Sequence, residues 1–278
     1  MRLAKVLDFL RERAVEKNGA LIVPFFACRE AARESGITAR EAEALALENG
    51  ICPSRYERNV GAIGMEGQAK LLRSRAAVVG CGGLGGWVIE ILARSGVGEL
   101  VVFDGDVFED GNLNRQMLAD EENIGTSKAE AAAKRVESVN GAVSISAFSK
   151  RLDGTNAAAL LLGCRVVVDA TDSNSARREI FKVCRELGIP FIHGAIGGFF
   201  GQTGVFFPED EPHWLVDEAP EKGAELETGC PAFTPPFIAS LQAAEAVKLL
   251  AGLDCQANGT LLWFDIGRYD MQKIKMGR

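Results

Sequence analysis

From about residue 53 onward, short runs of β-branched and aromatic residues alternate with stretches whose apolar positions recur at helical spacing. The runs "RAAVVG", "ELVVFD", "VSISAF", "RVVVDA" and "PFIHGAI" read as strands. Helical stretches separate them, and that alternation predicts a parallel, doubly wound α/β sheet of Rossmann-like type with ligand at the carboxyl ends of its strands. "GGFFGQTGVFF" follows without an intervening helix, and "TLLWFDIG" and "MQKIKM" come late, so these three are expected to add antiparallel strands. Residues 1–52 read as a small helical appendage. Leu7, Leu10 and Val15 form an apolar stripe, and Thr38 stands as the cap of a further helix after "ESGI". The expected organisation is therefore an appendage over 1–52 and a nucleotide-binding unit over 53–278. A long acidic, proline-punctuated crossover loop runs over about 208–236 within the second unit.

Charge narrows the partners. The chain carries 31 Lys+Arg against 38 Asp+Glu, a net −7, which disfavours a duplex-binding surface. The turn before "TAREAEALALENG" allows a helix-turn-helix, but Glu41, Glu43 and Glu48 against Arg40 alone would repel DNA. No apolar run is long enough to span a bilayer, and charges thread the first helix, so no membrane partner is expected and the location reads as cytoplasmic. The seven cysteines form no Cys-x-x-Cys, which points to reduced thiols, and two histidines, His193 and His213, offer no zinc cluster. Structural zinc is not expected.

The chemistry gathers where strands become helices. In "AAVVGCGGLGGWVIEILARSG", Gly80, Gly82, Gly83 and Gly85 let the backbone turn tightly and approach an anion. The helix that follows, with Trp87, Val88, Ile91 and Leu92 as its expected buried stripe, offers about 0.5 of a positive charge at its N-terminus. Asp104 ends the next strand, placed to hold ribose hydroxyls. All of this suits NAD or FAD as well as ATP. Asn112, Arg115 and Gln116 follow in "DGNLNRQ", and Ser127 with Glu130 forms a capping box that sets Lys128 in a first helical turn. Asp172, after Asp169 in "VVVDATDSN", sits at the same edge, either as a helix N-cap or as a magnesium ligand. Two cations and a carboxylate around phosphates favour cleavage of ATP over hydride transfer.

In order, "RYERN" with "GMEGQAKL", "GCGGLGG", "DGDVFEDGNLNRQ", "IGTSKAEAA", "DATDSN", "HGAIGGFFGQTGVF" and "SLQAAEAVKLLAG" resemble the family of ThiF, MoeB, HesA and the ubiquitin-activating enzymes, over about residues 54 to 275. The resemblance implies a homodimer that adenylates the C-terminal glycine of a small ubiquitin-like sulfur carrier with ATP and Mg, serving thiamine or pterin-cofactor synthesis. On this chain it implies that Gly80, Gly82, Gly83 and Gly85 cradle the triphosphate and Asp104 holds ribose. Asn112, Arg115, Gln116 and Lys128 then surround the phosphates, Asp172 engages Mg, and Arg58 reaches the partner subunit's site. The departures are the missing Cys-x-x-Cys pairs, Asn59 where glutamine is usual, and a crossover thiol, Cys230 in "ETGCPAF", whose surroundings do not match the reactive cysteine of some relatives. A tRNA-borne or peptide carboxylate as acceptor, a nicotinamide oxidoreductase and a non-catalytic nucleotide-binding partner are the rival readings.

Overall fold

A computed structural model describes residues 2–212, 223, 225–255 and 259–276. The N-terminal segment holds α1 (Arg2–Arg13), β1 (Val15–Lys17), β2 (Ala20–Val23), α2 (Phe25–Ser35), α3 (Ala39–Glu48) and β3 (Ile51–Pro53). Then follow α4 (Val60–Leu72), β4 (Arg75–Val79), α5 (Gly83–Ser95), β5 (Glu99–Phe103), α6 (Lys128–Val139), β6 (Ser144–Phe148), α7 (Ala157–Leu160), β7 (Val166–Asp169) and α8 (Asn174–Leu187). The chain continues through β8 (Phe191–Gly197), β9 (Phe200–Phe206), α9 (Glu225–Thr228), α10 (Thr234–Ala251), β10 (Thr260–Asp265) and β11 (Asp270–Lys275).

The large sheet has eight strands in the order β11-β10-β9-β8-β7-β4-β5-β6. Its β8-β7-β4-β5-β6 half is parallel, and β9, β10 and β11 pair antiparallel. Strand order reverses beside β4: β5 lies on one side, and β7 returns to the other. That reversal opens the crevice at the carboxyl ends of β4 and β7, the place where doubly wound sheets bind ligands. Strand alternation serves both faces. Ala76, Val78, Leu100, Val102, Val166 and Val168 pack toward α5, α6 and α10, while Ala77, Val79, Val101, Phe103 and Val167 pack toward α7 and α8. The parallel strands are therefore apolar on both sides.

Two readings of the helices need correction. In α5 the fully buried residues are Val88, Ile89, Leu92 and Ala93, with Trp87 and Ile91 half-buried. The helix is covered by α10 and α6 as well as by the sheet, so its apolar face is broader than one stripe. In the N-terminal segment, Val6 and Leu10 are buried, but Val15 is 66% exposed and belongs to β1. There β1, β2 and β3 form a three-stranded sheet that accompanies the helices. The β1–β2 turn, Asn18–Gly19 with φ of 51° and 78°, is an Asn-Gly hairpin turn whose signal helical periodicity masked.

A buried polar network joins this segment to the large sheet's helices. Tyr56 donates its hydroxyl to Glu43 Oε2 at 3.0 Å, and Arg55 Nε lies 3.4 Å from Glu43 Oε1. Asn140, at the end of α6, donates to the Tyr56 hydroxyl at 3.0 Å and accepts from Arg55. Burial raises the Glu43 pKa, against the opposing pull of Arg55 and Tyr56. Among the described residues no helix is long and apolar enough to cross a membrane.

Candidate functional site

The glycine loop leaves β4 and enters α5 at the crevice. Gly80 adopts φ +96°, and its N–H donates to the Phe103 carbonyl at 2.8 Å, which ties the loop to the end of β5. A side chain there would press on the Ala170 carbonyl, and one at Gly85 would fall on the Gly80 carbonyl itself. Both positions therefore admit only glycine, for close approach of backbone to backbone. Gly82 caps α5 and Gly83 opens it, so the helix N-terminus faces the crevice.

Asp104 follows β5 and holds the loop from the side. Its Oδ2 accepts from the Cys81 N–H at 2.7 Å, and Oδ1 accepts from the Asp106 N–H at 2.8 Å. Burial raises its pKa, with those two backbone donors and Lys128 acting against it. A carboxylate has about four lone-pair sites, so acceptor capacity remains for hydroxyl donors.

The 110–116 segment crosses the loop's mouth. Around a Cβ built on Gly82 the nearest atoms are those of the Gln116 side-chain amide, from 3.6 Å. Around Gly83 they are the Pro235 ring, at 3.7 Å, and Arg115 Cγ, at 4.0 Å. Gln116 is 7% exposed, and its Oε1 is buried with no hydrogen-bond partner among the described residues. Arg115 donates to the Gly111 carbonyl and to Asn114 Oδ1, both at 2.8 Å, which steadies its guanidinium against its own segment. Asn112 accepts from the Glu109 N–H at 3.1 Å and closes the short turn before it. Lys128 is the first residue of α6, capped by Ser127, and is 8% exposed with Nζ 3.6 Å from Asp106 Oδ2.

On the opposite wall, Asp172 lies between β7 and α8 and is exposed. The N-cap of α8 is Ser173, whose hydroxyl accepts from the Ala176 N–H, so the capping alternative for Asp172 is excluded. Among the described residues nothing pairs with the Asp172 carboxylate. No group of three or more His, Cys, Asp or Glu there is arranged to hold a metal ion. A single free carboxylate beside an anion cradle is what a Mg ion carried on phosphate oxygens asks of a protein.

Cys230 joins this neighbourhood. Asn114 Nδ2 donates to the Cys230 carbonyl at 3.0 Å, and Arg115 is close enough to lower the thiol pKa. Burial is the larger influence and raises that pKa overall, so the thiol is not activated. Of the crossover loop, residues 213–222 and 224 lie outside the described residues, as does His213. Arg58 precedes α4 and is exposed, and among the described residues no hydrogen bond or ion pair joins it to the groups above. The fold thus brings Gly82, Gly83, Arg115, Gln116 and Cys230 together.

Sequence reasoning missed three groups. Asn114, inside the quoted motif, tethers the crossover end. Asp106 pairs with Lys128. The third is a buried cluster below Asp172, in which Asp169 Oδ2 accepts from Arg177 Nε at 2.6 Å and lies 3.1 Å from His193 Nδ1. Burial alone would raise the Asp169 pKa, but Arg177, His193 and Thr171 outweigh it and bring it to about 2. Only the two-residue alternation of "PFIHGAI" hinted that His193 points inward.

Comparison with known proteins agrees with this geometry. The chain is 43% identical over 218 residues to the SAMP-activating enzyme E1 of Haloferax volcanii, covering 76% of this chain and 80% of that one. It is 36% identical over 236 residues to the sulfur carrier protein adenylyltransferase of Thermus thermophilus, covering 81% and 87%. The crystal structure of E. coli MccB with ATP shares the fold with a TM-score of 0.70 at 21% identity, covering 90% of this chain and 83% of that one. The family model described as ThiF matches residues 56–278, from the turn before α4 through the whole eight-stranded sheet, and the chain belongs to the ThiF family.

Proposed function

We infer that this chain is an adenylyltransferase that uses ATP and Mg to activate the C-terminal glycine carboxylate of a small ubiquitin-like sulfur-carrier protein, releasing pyrophosphate. Its product readies the carrier for sulfur transfer in thiamine or pterin-cofactor synthesis. Relatives named as adenylyltransferases of sulfur carriers support the reaction class. The observation that carries the reading is the Arg115–Gln116 wall set against the open N-terminus of α5, a cationic, backbone-lined cradle suited to phosphate. In this reading the catalytic unit is residues 53–278, the enzyme is cytoplasmic, and it works as a homodimer in which Arg58 enters the neighbouring site.

The chemistry is a displacement at the α-phosphorus. The carrier carboxylate is already ionised at neutral pH, so no general base is needed. Its oxygen attacks phosphorus and the bond to pyrophosphate breaks, so negative charge builds on the leaving side. Arg115, Lys128 and the α5 N-terminus face that charge, and they were positioned before the reaction began. Asp104 would hold the ribose, and Asn112 and Gln116 would line the phosphates. Asp172 would hold Mg, which when bound offsets phosphate charge. Cys230 has no step in adenylation.

The test is ATP–pyrophosphate exchange with and without small Gly-Gly-ending proteins of the same host. Exchange that requires one such protein and is lost in Asp172→Ala is expected. ATP binding without exchange, whichever carrier is present, would overturn the assignment of acceptor.

A further inference from the structure

Among the described residues nothing pairs with Asp172, yet a buried cluster pins the backbone before it and holds the Asn174 side chain after it. The Ala170 N–H donates to the Val79 carbonyl at 2.9 Å, and the Asp169 carbonyl accepts from Gln242 Nε2 at 2.7 Å. Asp169 Oδ1 accepts from both the Thr171 N–H, at 3.0 Å, and the Thr171 hydroxyl, at 2.6 Å. Arg177 then closes the loop from α8, donating Nη2 to the Thr171 carbonyl at 2.8 Å and Nη1 to Asn174 Oδ1 at 2.5 Å. Thr171 and Asn174 bracket Asp172. The loop is therefore held by the same carboxylate and guanidinium that form the ion pair.

His193 is the back wall of this arrangement. It is fully buried on β8, with Nδ1 3.1 Å from Asp169 Oδ2 and Nε2 3.0 Å from Gln202 Nε2 on β9. An ionised Asp169 can only accept, so Nδ1 carries the proton and Nε2 accepts from the Gln202 amide. That tautomer locks the ring between two strands and orients the Asp169 carboxylate toward Arg177 and Thr171. A buried ion pair of this kind is rarely the most stable way to fill a core, since apolar replacements are often as stable or more so. What it does supply here is a set of hydrogen bonds to the loop's own backbone.

We propose that His193, acting through Asp169, is a positioning residue that holds the Asp172 carboxylate where an ATP-bound Mg ion meets it. The proposal rests on the reading of Asp172 as the Mg ligand. His193 touches neither nucleotide nor metal.

Two substitutions separate its two hydrogen bonds. In His193→Asn the amide nitrogen stands close to Nδ1 and keeps the donor to Asp169. In His193→Gln it stands close to Nε2 and loses that donor. Thr171→Val removes one donor to Asp169 at nearly constant volume. The measurement is ATP affinity by calorimetry on the full chain, once with Mg and once with EDTA, the ratio of the two reporting on the metal. Loss of an outer-shell partner costs about 10–100-fold in metal affinity, so for a residue one step further out His193→Gln and Thr171→Val should lower the ratio by about 3–10-fold. Affinity in EDTA should not change, and His193→Asn should restore the ratio. A ratio unmoved in His193→Gln, whatever Thr171→Val does, or a fall in affinity that is equal with and without Mg, overturns the proposal. Asp172→Ala is measured alongside. If it also leaves the ratio unmoved, the Mg reading of Asp172 has failed, whereas a shift there alone removes only the role of His193.

Discussion

Gly80→Ala perturbs both walls of the candidate site, because two independent strains meet at one atom. A φ of +96° is one that L-residues rarely adopt, and the new Cβ would lie 2.5 Å from the Ala170 carbonyl oxygen and 3.0 Å from its carbon. Reaching an ordinary 3.4 Å contact requires 3.4 − 2.5 = 0.9 Å of movement. No flexible side chain is available to give way, since both obstacles are backbone. Strands β4 and β7 are joined at this point by the Ala170 N–H to Val79 carbonyl bond, so the displacement passes into the loop carrying Asp172. A strained backbone and an overpacked contact each cost about 1–3 kcal/mol, so the urea-unfolding free energy should fall by about 2–6 kcal/mol. That leaves a folded protein over most of the usual stability range of about 5–15 kcal/mol. A misplacement near 1 Å costs on the order of 100-fold in rate, so kcat/KM for ATP–pyrophosphate exchange should fall by about that factor. Gly141→Ala is the control, because no atom lies within 4 Å of its added Cβ. Exchange by Gly80→Ala within threefold of the parent, with an unchanged unfolding curve, would refute the argument that this glycine sets the geometry of both walls.

Arg115→Ala should lower exchange by about 10²–10³ while ATP still binds, because the loss falls on developing charge; comparing kcat with the ATP dissociation constant checks this. Glu43→Ala should cost about 1–3 kcal/mol in urea unfolding, since it leaves the buried Tyr56 hydroxyl without its acceptor while Arg55 keeps Asn140, and Glu43→Gln clearly less, since it can still accept from Tyr56. Burial, then Arg177, lowers the His193 pKa from its ordinary 6.5 to about 4 against the raising pull of Asp169. The unfolded chain therefore takes up this proton first on acidification. The stability tied to a neutral His193 should be whole above pH 6.5, fall by about 3 kcal/mol between 6.5 and 4, and level off below, and His193→Asn should remove that decline in pH-dependent urea titrations. Burial also raises the Cys230 thiol pKa, so at pH 7.5 it should react with iodoacetamide more slowly than free cysteine, as followed by mass spectrometry of the labelled chain.

Local pattern alone was enough for the strands of the large sheet, the glycine turn into α5, the Thr38 cap and the Ser127 cap, although Ser127 accepts from the Glu130 N–H without the reciprocal bond of a capping box. Each depends on period, on backbone freedom or on a side chain reaching its own neighbours, and those are properties of contiguous residues. The edge at which the candidate phosphate residues lie was legible too, because their motifs sit at strand ends that the alternation of strand and helix already sends to one side. What lay beyond the sequence depended on who packs against whom. The breadth of the α5 face follows from α10, which is far along the chain. The β1–β2 hairpin is too short to compete with helical periodicity until β3 pairs with it. Asp169, Arg177 and His193 come from a strand end, a helix and the next strand, and no local signal marks a buried charge whose partners are supplied by the fold. Sequence determined the elements and the edge at which chemistry gathers. Tertiary structure decided which side chains meet there, because a buried ion pair and a pinned loop arise only when separate elements close around them.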